Sequence, residues 1–261
     1  MDRRNMIKRT GAAVAGLSLF GIDAVAGSGS SSTNDITANG DEKKLSGIKK
    51  VVVVGAHPDD PETVFGGTMM AMKAAGCEVV AIYMTKGEAG IPGKTHDEAA
   101  AIRKAEAIEA CKVMGVRPVF LTQIDGNSEI NKERYAEMKE AIAAENPDIV
   151  LTQWPIDSHP DHRVCASLVY DAWRRLGYTF ELYYGEAMTG LQSQVFHPTH
   201  YVDISEFADK KREATLCHKS QKPEDWYDEW HGEMGRFRGK EHGCKEAEAF
   251  VHLNRGGNGI L

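Results

Sequence analysis

Short apolar runs alternate with helical patterns from residue 51 onward, and this alternation constrains the fold more than any other feature of the chain. The run at 51–54 is four consecutive valines, as expected for a strand buried on both faces. Further strands are predicted at 79–84, 119–122, 149–152, 182–184 and 201–204. Helices are predicted at 66–75, 97–114, 132–144, 165–176 and 206–217. The alternation predicts an α/β fold, with a mostly parallel sheet and helices on both of its faces.

The first residues of the chain have the pattern of an export signal. Residues 1–9 are basic, an apolar run covers 12–22, and Ala24-Val25-Ala26 offers small residues for cleavage. The Arg3-Arg4 pair is typical of a twin-arginine signal; a Sec signal with a basic start and an uncleaved anchor are the alternatives. We therefore predict a signal at 1–26, a flexible linker at 27–43, one domain at 44–261, and an exported, periplasmic or extracytoplasmic protein.

Charge and cysteine content narrow the function classes. The chain has 31 basic and 38 acidic residues, a formal net charge of −7, and no basic stripe, which argues against a nucleic-acid-binding protein. No stable membrane span is expected in the mature chain, because the apolar run at 12–22 is too short to cross a bilayer. The five cysteines form no CxxC pair, so neither a zinc–cysteine site nor a disulfide framework is indicated. Cys111 and Cys165 lie on apolar helix faces and are predicted to be buried thiols.

The predicted topology locates any ligand site. In open α/β sheets ligands bind beyond the carboxyl ends of the strands, so the segments after the first and fourth strands are the places to examine. No GxGxxG sequence follows the first strand, which disfavours a nucleotide-binding protein of this architecture. Gly66-Gly67 lies farther along and is expected to let its helix pack close to the sheet.

Two histidine–aspartate clusters occupy those two segments. The first is His57-Pro58-Asp59-Asp60 and the second is His159-Pro160-Asp161-His162. One such cluster is commonly a helix cap with a surface histidine, but two of them after two central strands indicate a shared site. Imidazole and carboxylate ligands suit Zn²⁺, and three of them leave a position open for water. A metal can lower the pKa of that water to about 7, and the remaining acidic and imidazole groups can move protons.

At these residues the chain resembles the PIG-L/LmbE-like family of zinc-dependent N-deacetylases. The specific marks are Ala56-His57-Pro58-Asp59-Asp60 after a valine-rich strand, and His159-Pro160-Asp161-His162 downstream. Supporting marks are Thr85-Lys86-Gly87-Glu88, Arg103 with Glu106, Val202-Asp203-Ile204-Ser205, His218-Lys219-Ser220-Gln221 and Ala247-Glu248-Ala249-Phe250. The resemblance runs from about residue 49 to 253.

The resemblance implies a Rossmann-like sheet and hydrolysis of the acetamide of an amino sugar, with one Zn²⁺ or another divalent metal per chain. By motif position, His57, Asp60 and His162 would bind the metal. Asp59 would be the general base, and His159 would stabilise or protonate the reacting group while Asp161 orients it. The chain departs from a common form of the motif, in which Glu directly follows the second Asp, because Pro61 precedes Glu62 here. We interpret Glu62 as a helix N-terminal acid.

Two further residues are candidate substrate-binding groups. Arg103 could reach a sugar hydroxyl or phosphate at the pocket rim; the alternative is an i,i+3 pair with Glu106 on a solvated helix face. Asp125 could bind sugar hydroxyls, whereas a turn formed by Asp125-Gly126 explains it nearly as well.

The remaining histidines and the aromatic group near the C-terminus have simpler interpretations. We expect His218 to be a satisfied structural histidine, and we assign structural or surface positions to His96, His197, His200, His231, His242 and His252. Trp226, Tyr227 and Trp230 are expected to pack in the core, with stacking on a sugar ring as the alternative. Residues 224–240 are rich in charge and glycine and fit a mobile rim or lid of the pocket.

The sequence therefore predicts an exported zinc hydrolase that removes acetyl from an N-acetylglucosamine-type amino sugar or its conjugate. The alternatives are a deacylase of another N-acyl amide and a metal-containing carbohydrate-binding protein without turnover. The oligomeric state stays open, with a homo-oligomer as one possibility.

Overall fold

A computed structural model describes residues 47–254; the predicted export signal and linker lie outside the described residues. Seven strands form one sheet: β1 (Lys50–Gly55), β2 (Glu78–Tyr83), β3 (Arg117–Phe120), β4 (Ile149–Gln153), β5 (Glu181–Gly185), β6 (His200–Asp203) and β7 (Ala247–His252). Their order is β3-β2-β1-β4-β5-β7-β6. The first five strands are parallel, and β7 runs antiparallel to both β5 and β6. The mostly parallel α/β sheet is thus confirmed.

Within residues 47–254, six α-helices accompany the sheet: α1 (Asp60–Ala74), α2 (His96–Met114), α3 (Lys132–Glu145), α4 (Pro160–Arg175), α5 (Ala208–Thr215) and α6 (Glu233–His242). Because side chains alternate along a strand, Val51 and Val53 pack in one core with α1, α2 and α5, whereas Val52 and Val54 pack in a second core with α3 and α4. All four valines have no solvent exposure. Helices therefore cover both faces, as predicted.

Several element boundaries differ from the prediction. Helix α1 begins at Asp60 rather than at residue 66, because Pro61 suits the first turn of a helix. Strand β3 lies two residues earlier than predicted and contains Pro118, which an edge strand tolerates since one side of it needs no partner. Helix α5 is shorter than predicted, and β7 was not predicted as a strand.

Buried small residues hold the elements close together. A Cβ atom on Gly67 would lie 2.5 Å from Cγ2 of Ile204, so this glycine lets α1 approach the segment after β6.

Cys111 and Cys165 are buried free thiols, as predicted. Within residues 47–254, no helix combines the length and apolar character that a membrane crossing requires.

Candidate metal centre and catalytic pocket

The two histidine–aspartate clusters meet where the strand order reverses. Neighbours β1 and β4 are the strands from which the sheet extends in opposite directions, and such a switch point leaves a crevice at the carboxyl ends of the strands. The N–H of Ala56, just after β1, donates to Oε1 of Gln153 at the end of β4, at 3.0 Å. This bond fixes the two loops beside each other, so residues about 100 positions apart form one site.

A tight turn between β1 and α1 presents Asp59 and Asp60. The N–H of His57 donates to Oδ2 of Asp60 at 2.7 Å. Asp59 has φ 106°, a conformation that is strained for a residue other than glycine, and its side chain does not cap the helix. The Asp59 carboxylate is therefore not used by the N-terminus of α1, and it can contact a different partner from the Asp60 carboxylate.

Asp60 lies between the two imidazoles predicted to bind metal. Its Oδ2 is 3.2 Å from Nδ1 of His57, and its Oδ1 is 3.2 Å from Nε2 of His162. All three side chains are buried. Burial alone would raise the pKa of Asp60, yet His162 and His57 hold that pKa well below its usual value.

The second nitrogen of each imidazole also faces a carboxylate. Nε2 of His57 is 3.1 Å from Oδ2 of Asp161 and 3.2 Å from Oδ1 of Asp125, and Nδ1 of His162 is 3.2 Å from Oδ1 of Asp157. Burial lowers the pKa of His162, but Asp60 and Asp157 outweigh it and raise the pKa to about 9. His57 is thus fixed among three carboxylates and His162 between two.

This arrangement fits a divalent metal. Tetrahedral bonds of about 2.0–2.1 Å to zinc place neighbouring donor atoms about 3.3 Å apart. One oxygen of Asp60 lies 3.2 Å from Nδ1 of His57 and its other oxygen 3.2 Å from Nε2 of His162, so each imidazole has a carboxylate oxygen at about that spacing. Metal-binding histidines usually present their other ring nitrogen to a carboxylate or carbonyl, as both do here. Two sets of donor atoms in the described residues lie within 4.8 Å of one another: His57 with His159 and His162, and His57 with Asp125 and Asp161. Both contain His57, and neither contains Asp60.

Asp161 differs from its expected placement. Its carboxylate contacts His57 and accepts the N–H of Gly126 at 2.7 Å, whereas only its backbone N–H reaches His159, at 3.2 Å from Nδ1. Burial raises the pKa of Asp161, but the bonds from His57 and Gly126 outweigh it and lower the pKa to about 2. The side chain therefore orients His57 and not His159; the sequence could not show this because Asp161 follows His159 closely in the chain.

His159 lies against both predicted metal-binding imidazoles. Its ring centroid is 4.6 Å from that of His57 and 4.8 Å from that of His162. Burial and these two neighbours lower the pKa of His159, which favours a neutral ring. Since Nδ1 accepts the backbone N–H of Asp161, the proton of the neutral ring is assigned to Nε2.

Arg103 is buried beside Asp59 and does not form the alternative pair with Glu106. One guanidinium nitrogen, Nη2, lies 2.7 Å from Oδ2 of Asp59 and also donates to the carbonyl of Pro58. Glu106 instead accepts bonds from Ser220. Burial raises the pKa of Asp59, and the Arg103 guanidinium opposes that increase. Arg103 therefore holds the Asp59 carboxylate, a contact with no signal in the sequence.

Two glycines make room for this guanidinium. A Cβ atom on Gly87, which has φ 74°, would lie 2.5 Å from Cδ of Arg103, and one on Gly90 would approach Nη1 even more closely. The glycine of the Thr85-Lys86-Gly87-Glu88 segment is thus explained by the position of Arg103.

A cavity of about 500 Å³ opens onto the centre. The predicted site residues His57, Asp59, Asp60, Arg103, Asp125, His159 and His162 line it. Trp226, Trp230 and His231 line it as well, although core packing was expected for the two tryptophans and a structural or surface position for the histidine. Tyr227 alone packs in the core as predicted, with 4% of its surface exposed. Residues 224–240 thus supply part of the cavity wall.

Glu62 and His218 form a buried polar group away from the cavity. Glu62 lies in the first turn of α1 as expected, but it is fully buried and accepts the Tyr83 hydroxyl at 2.6 Å. Nε2 of His218 is 3.2 Å from Oε1 of Glu62. The burial of His218 agrees with a structural position, but within the described residues neither of its ring nitrogens has a hydrogen-bond partner, so the prediction of a satisfied histidine was wrong. Glu62 has a buried partner, Tyr83, that the sequence did not indicate.

Comparisons with known proteins agree with the fold and the motifs. The family model described as GlcNAc-PI de-N-acetylase (PIG-L) matches residues 52–173. The diacetylchitobiose deacetylase of Thermococcus kodakarensis is 30% identical, over 79% of this chain and 86% of that protein. A probable N-acetyl-α-D-glucosaminyl L-malate deacetylase 2 of Bacillus anthracis is 24% identical, over 66% of this chain and 81% of that protein.

A solved structure gives the same result for the fold. The N,N'-diacetylchitobiose deacetylase of Pyrococcus horikoshii superposes with a TM-score of 0.69 at 25% identity, covering 79% of this chain and 84% of that one. The similarity extends well beyond the two motifs to most of the sheet and its helices. The chain belongs to the PIG-L/LmbE-like family.

Proposed function

We propose that this protein is a metal-dependent hydrolase that removes the acetyl group from an N-acetylated amino sugar. The observation that carries the proposal is the convergence of His57, Asp60 and His162, with Asp59 in the same cavity. The deacetylase relatives support an amino-sugar acetamide over other N-acyl amides.

His57, Asp60 and His162 would hold the ion, and Asp161 and Asp157 would fix the two imidazoles. When bound, the ion would lower the pKa of the attacking water and polarise the acetamide carbonyl. We prefer Zn²⁺ because two imidazoles and one carboxylate form a typical catalytic zinc site.

Asp59 and His159 would handle the protons and the developing charge. Asp59, oriented by Arg103, accepts the proton of the attacking water and returns it to the departing amine as the carbon–nitrogen bond breaks. His159 can donate from Nε2 to the oxygen of the reacting carbonyl. Asp125 lines the cavity and can accept a sugar hydroxyl.

The test is acetate release from N,N'-diacetylchitobiose and N-acetylglucosamine, with an N-acetyl amino acid for comparison. We expect the metal-loaded protein to release acetate from at least one amino sugar, a chelator to stop the reaction, and added Zn²⁺ to restore it. Release from the amino acid alone would favour the alternative N-acyl substrate. Sugar binding without any release would favour the non-catalytic binding protein.

Export remains a separate proposal, based on residues 1–26 alone. Fractionation of cells that produce the full chain should place the protein outside the cytoplasm, and Arg3→Lys with Arg4→Lys should retain it inside if the twin-arginine route operates.

A further inference from the structure

Three rings form one wall of the cavity, and the predicted metal chemistry does not use them. We call Trp226, Trp230 and His231 the aromatic wall. The centroids of the two tryptophans are 6.1 Å apart with a 30° tilt, and the His231 ring is 5.6 Å from Trp226. Trp230 keeps 41% of its surface exposed and lines the cavity, so part of its ring is available to a ligand.

The local backbone holds the wall in place. A five-residue π-helix, Asp228–Gly232, carries Trp230 and His231, and such helices occur frequently at functional sites. Nε1 of Trp226 donates to the carbonyl of Gln221 at 2.9 Å, and the Gln221 side chain donates to the carbonyl of Gly90 at 3.1 Å. The aromatic wall is therefore connected to the loop containing Gly87 and Gly90, which packs against Arg103.

The charges in the cavity limit what the aromatic wall can bind. Among the described residues that line the cavity, Arg103 is the only lysine or arginine, and it already pairs with Asp59. Asp59, Asp60 and Asp125 supply carboxylates. An anionic group next to the amino sugar would find no uncommitted cation here, whereas a neutral ring meets flat apolar surfaces and hydroxyl acceptors.

We propose that the aromatic wall binds a second, uncharged sugar ring joined to the N-acetylated one, so that the preferred substrate has at least two rings. The proposal rests on the proposed function, whose reacting groups occupy the same cavity. Trp230 supplies the exposed face for stacking, and Trp226 supports it from the side. A substrate with a carboxylate or phosphate in place of the second ring binds less well.

The kinetic test compares kcat/KM for N,N'-diacetylchitobiose, the methyl glycoside of N-acetylglucosamine, and N-acetylglucosaminyl malate, in the wild type and in Trp230→Ala. We expect the two-ring substrate to be preferred, and Trp230→Ala to lower its advantage over the methyl glycoside about tenfold, as truncation of a central aromatic contact typically does. Trp230→Phe should restore part of the advantage. Tyr170→Ala is the matched control, because Tyr170 also has 41% of its surface exposed and does not line the cavity.

An equal loss on all substrates, or no loss, would overturn the proposal, as would a preference for the malate conjugate. Calorimetry with chitobiose and glucosamine separates this inference from the proposed function. If the wild type releases no acetate but still binds chitobiose more tightly than glucosamine, and Trp230→Ala removes that difference, the two-ring site stands while the deacetylase does not. Equal affinity for chitobiose and glucosamine in the wild type would overturn the two-ring site even if acetate is released.

Discussion

Two clusters of charged side chains in this protein differ in how their carboxylates are paired with cations. The site cluster contains the carboxylates of Asp59, Asp60, Asp125, Asp157 and Asp161, with Arg103 and three imidazoles. The C-terminal cluster contains Glu186, Lys211, Arg238 and Glu248, all about 95% buried. In the C-terminal cluster each buried acid faces its own permanent cation, at 2.7 Å for Lys211 with Glu248 and 2.5 Å for Arg238 with Glu186.

The difference indicates what each cluster is for. In the site cluster four buried carboxylates and the partly buried Asp59 share one guanidinium. Their other partners are imidazoles and not permanent cations, so an added divalent cation is stabilising there. The C-terminal cluster is already neutral and gains nothing from an ion. Glu248 also accepts the N–H groups of Gly67 and Thr68 at 2.8 Å each, so its role is to hold α1 against β7. We infer that the excess of carboxylates over permanent cations in the site cluster serves a function, whereas the one-to-one pairing in the C-terminal cluster serves the fold.

The largest expected effect comes from removing a predicted metal-binding group. His162→Ala should reduce acetate release to background and lower the bound metal from one ion per chain toward none, as elemental analysis would show. The control is Asp209→Asn, because Asp209 is an exposed acid at the start of α5 and should leave both unchanged. If His162→Ala kept one full equivalent of metal and wild-type turnover, the site cluster would not be the metal-binding site.

Asp59→Asn should separate catalysis from metal binding within the site cluster. We expect kcat to fall by about 10²–10⁴-fold, the usual contribution of a general base, while the metal content stays at one per chain. Parallel steady-state kinetics and elemental analysis provide the check. Turnover within a few-fold of wild type at full metal occupancy would remove Asp59 from the role of base.

Lys211→Met should affect stability instead of chemistry. It leaves Glu248 charged and buried without its partner, so the free energy of unfolding should fall by about 3–5 kcal/mol. Denaturant unfolding measures this, and adding Glu248→Gln should recover part of the loss. If Lys211→Met instead lowered the metal content at unchanged stability, the two clusters would not be separate in function.

Asp161→Asn should give the smallest effect of this series. The variant weakens the carboxylate contact at Nε2 of His57, and loss of such a supporting group typically lowers metal affinity about 10–100-fold. Competition with a chromogenic chelator measures the affinity. An unchanged affinity would mean that His57 does not depend on Asp161 for its orientation.

The sheet and the metal-binding half of the site were predictable from the sequence for a physical reason. Parallel strands place their carboxyl ends at one edge, so the loops after β1 and β4 had to lie together once both strands were identified. This argument gives the proximity of His57, Asp60 and His162 without any knowledge of side-chain contacts.

The aromatic wall had no comparable signal. Residues 219–232 form two 3₁₀ turns and a π-helix, and neither has the periodicity of an α-helix or a strand. Sequence reasoning therefore assigned Trp226 and Trp230 to the core on composition alone. The Arg103–Asp59 pair was missed because it joins residues 44 positions apart through a path that Gly87 and Gly90 open.

The most direct test of the central claim is the position of the ion. A crystal of the zinc-loaded protein, measured across the zinc absorption edge, should show one anomalous peak about 2.0–2.2 Å from a nitrogen of His57, an oxygen of Asp60 and a nitrogen of His162. A peak between His57, Asp125 and Asp161 instead, or no peak in this crevice, would contradict the account.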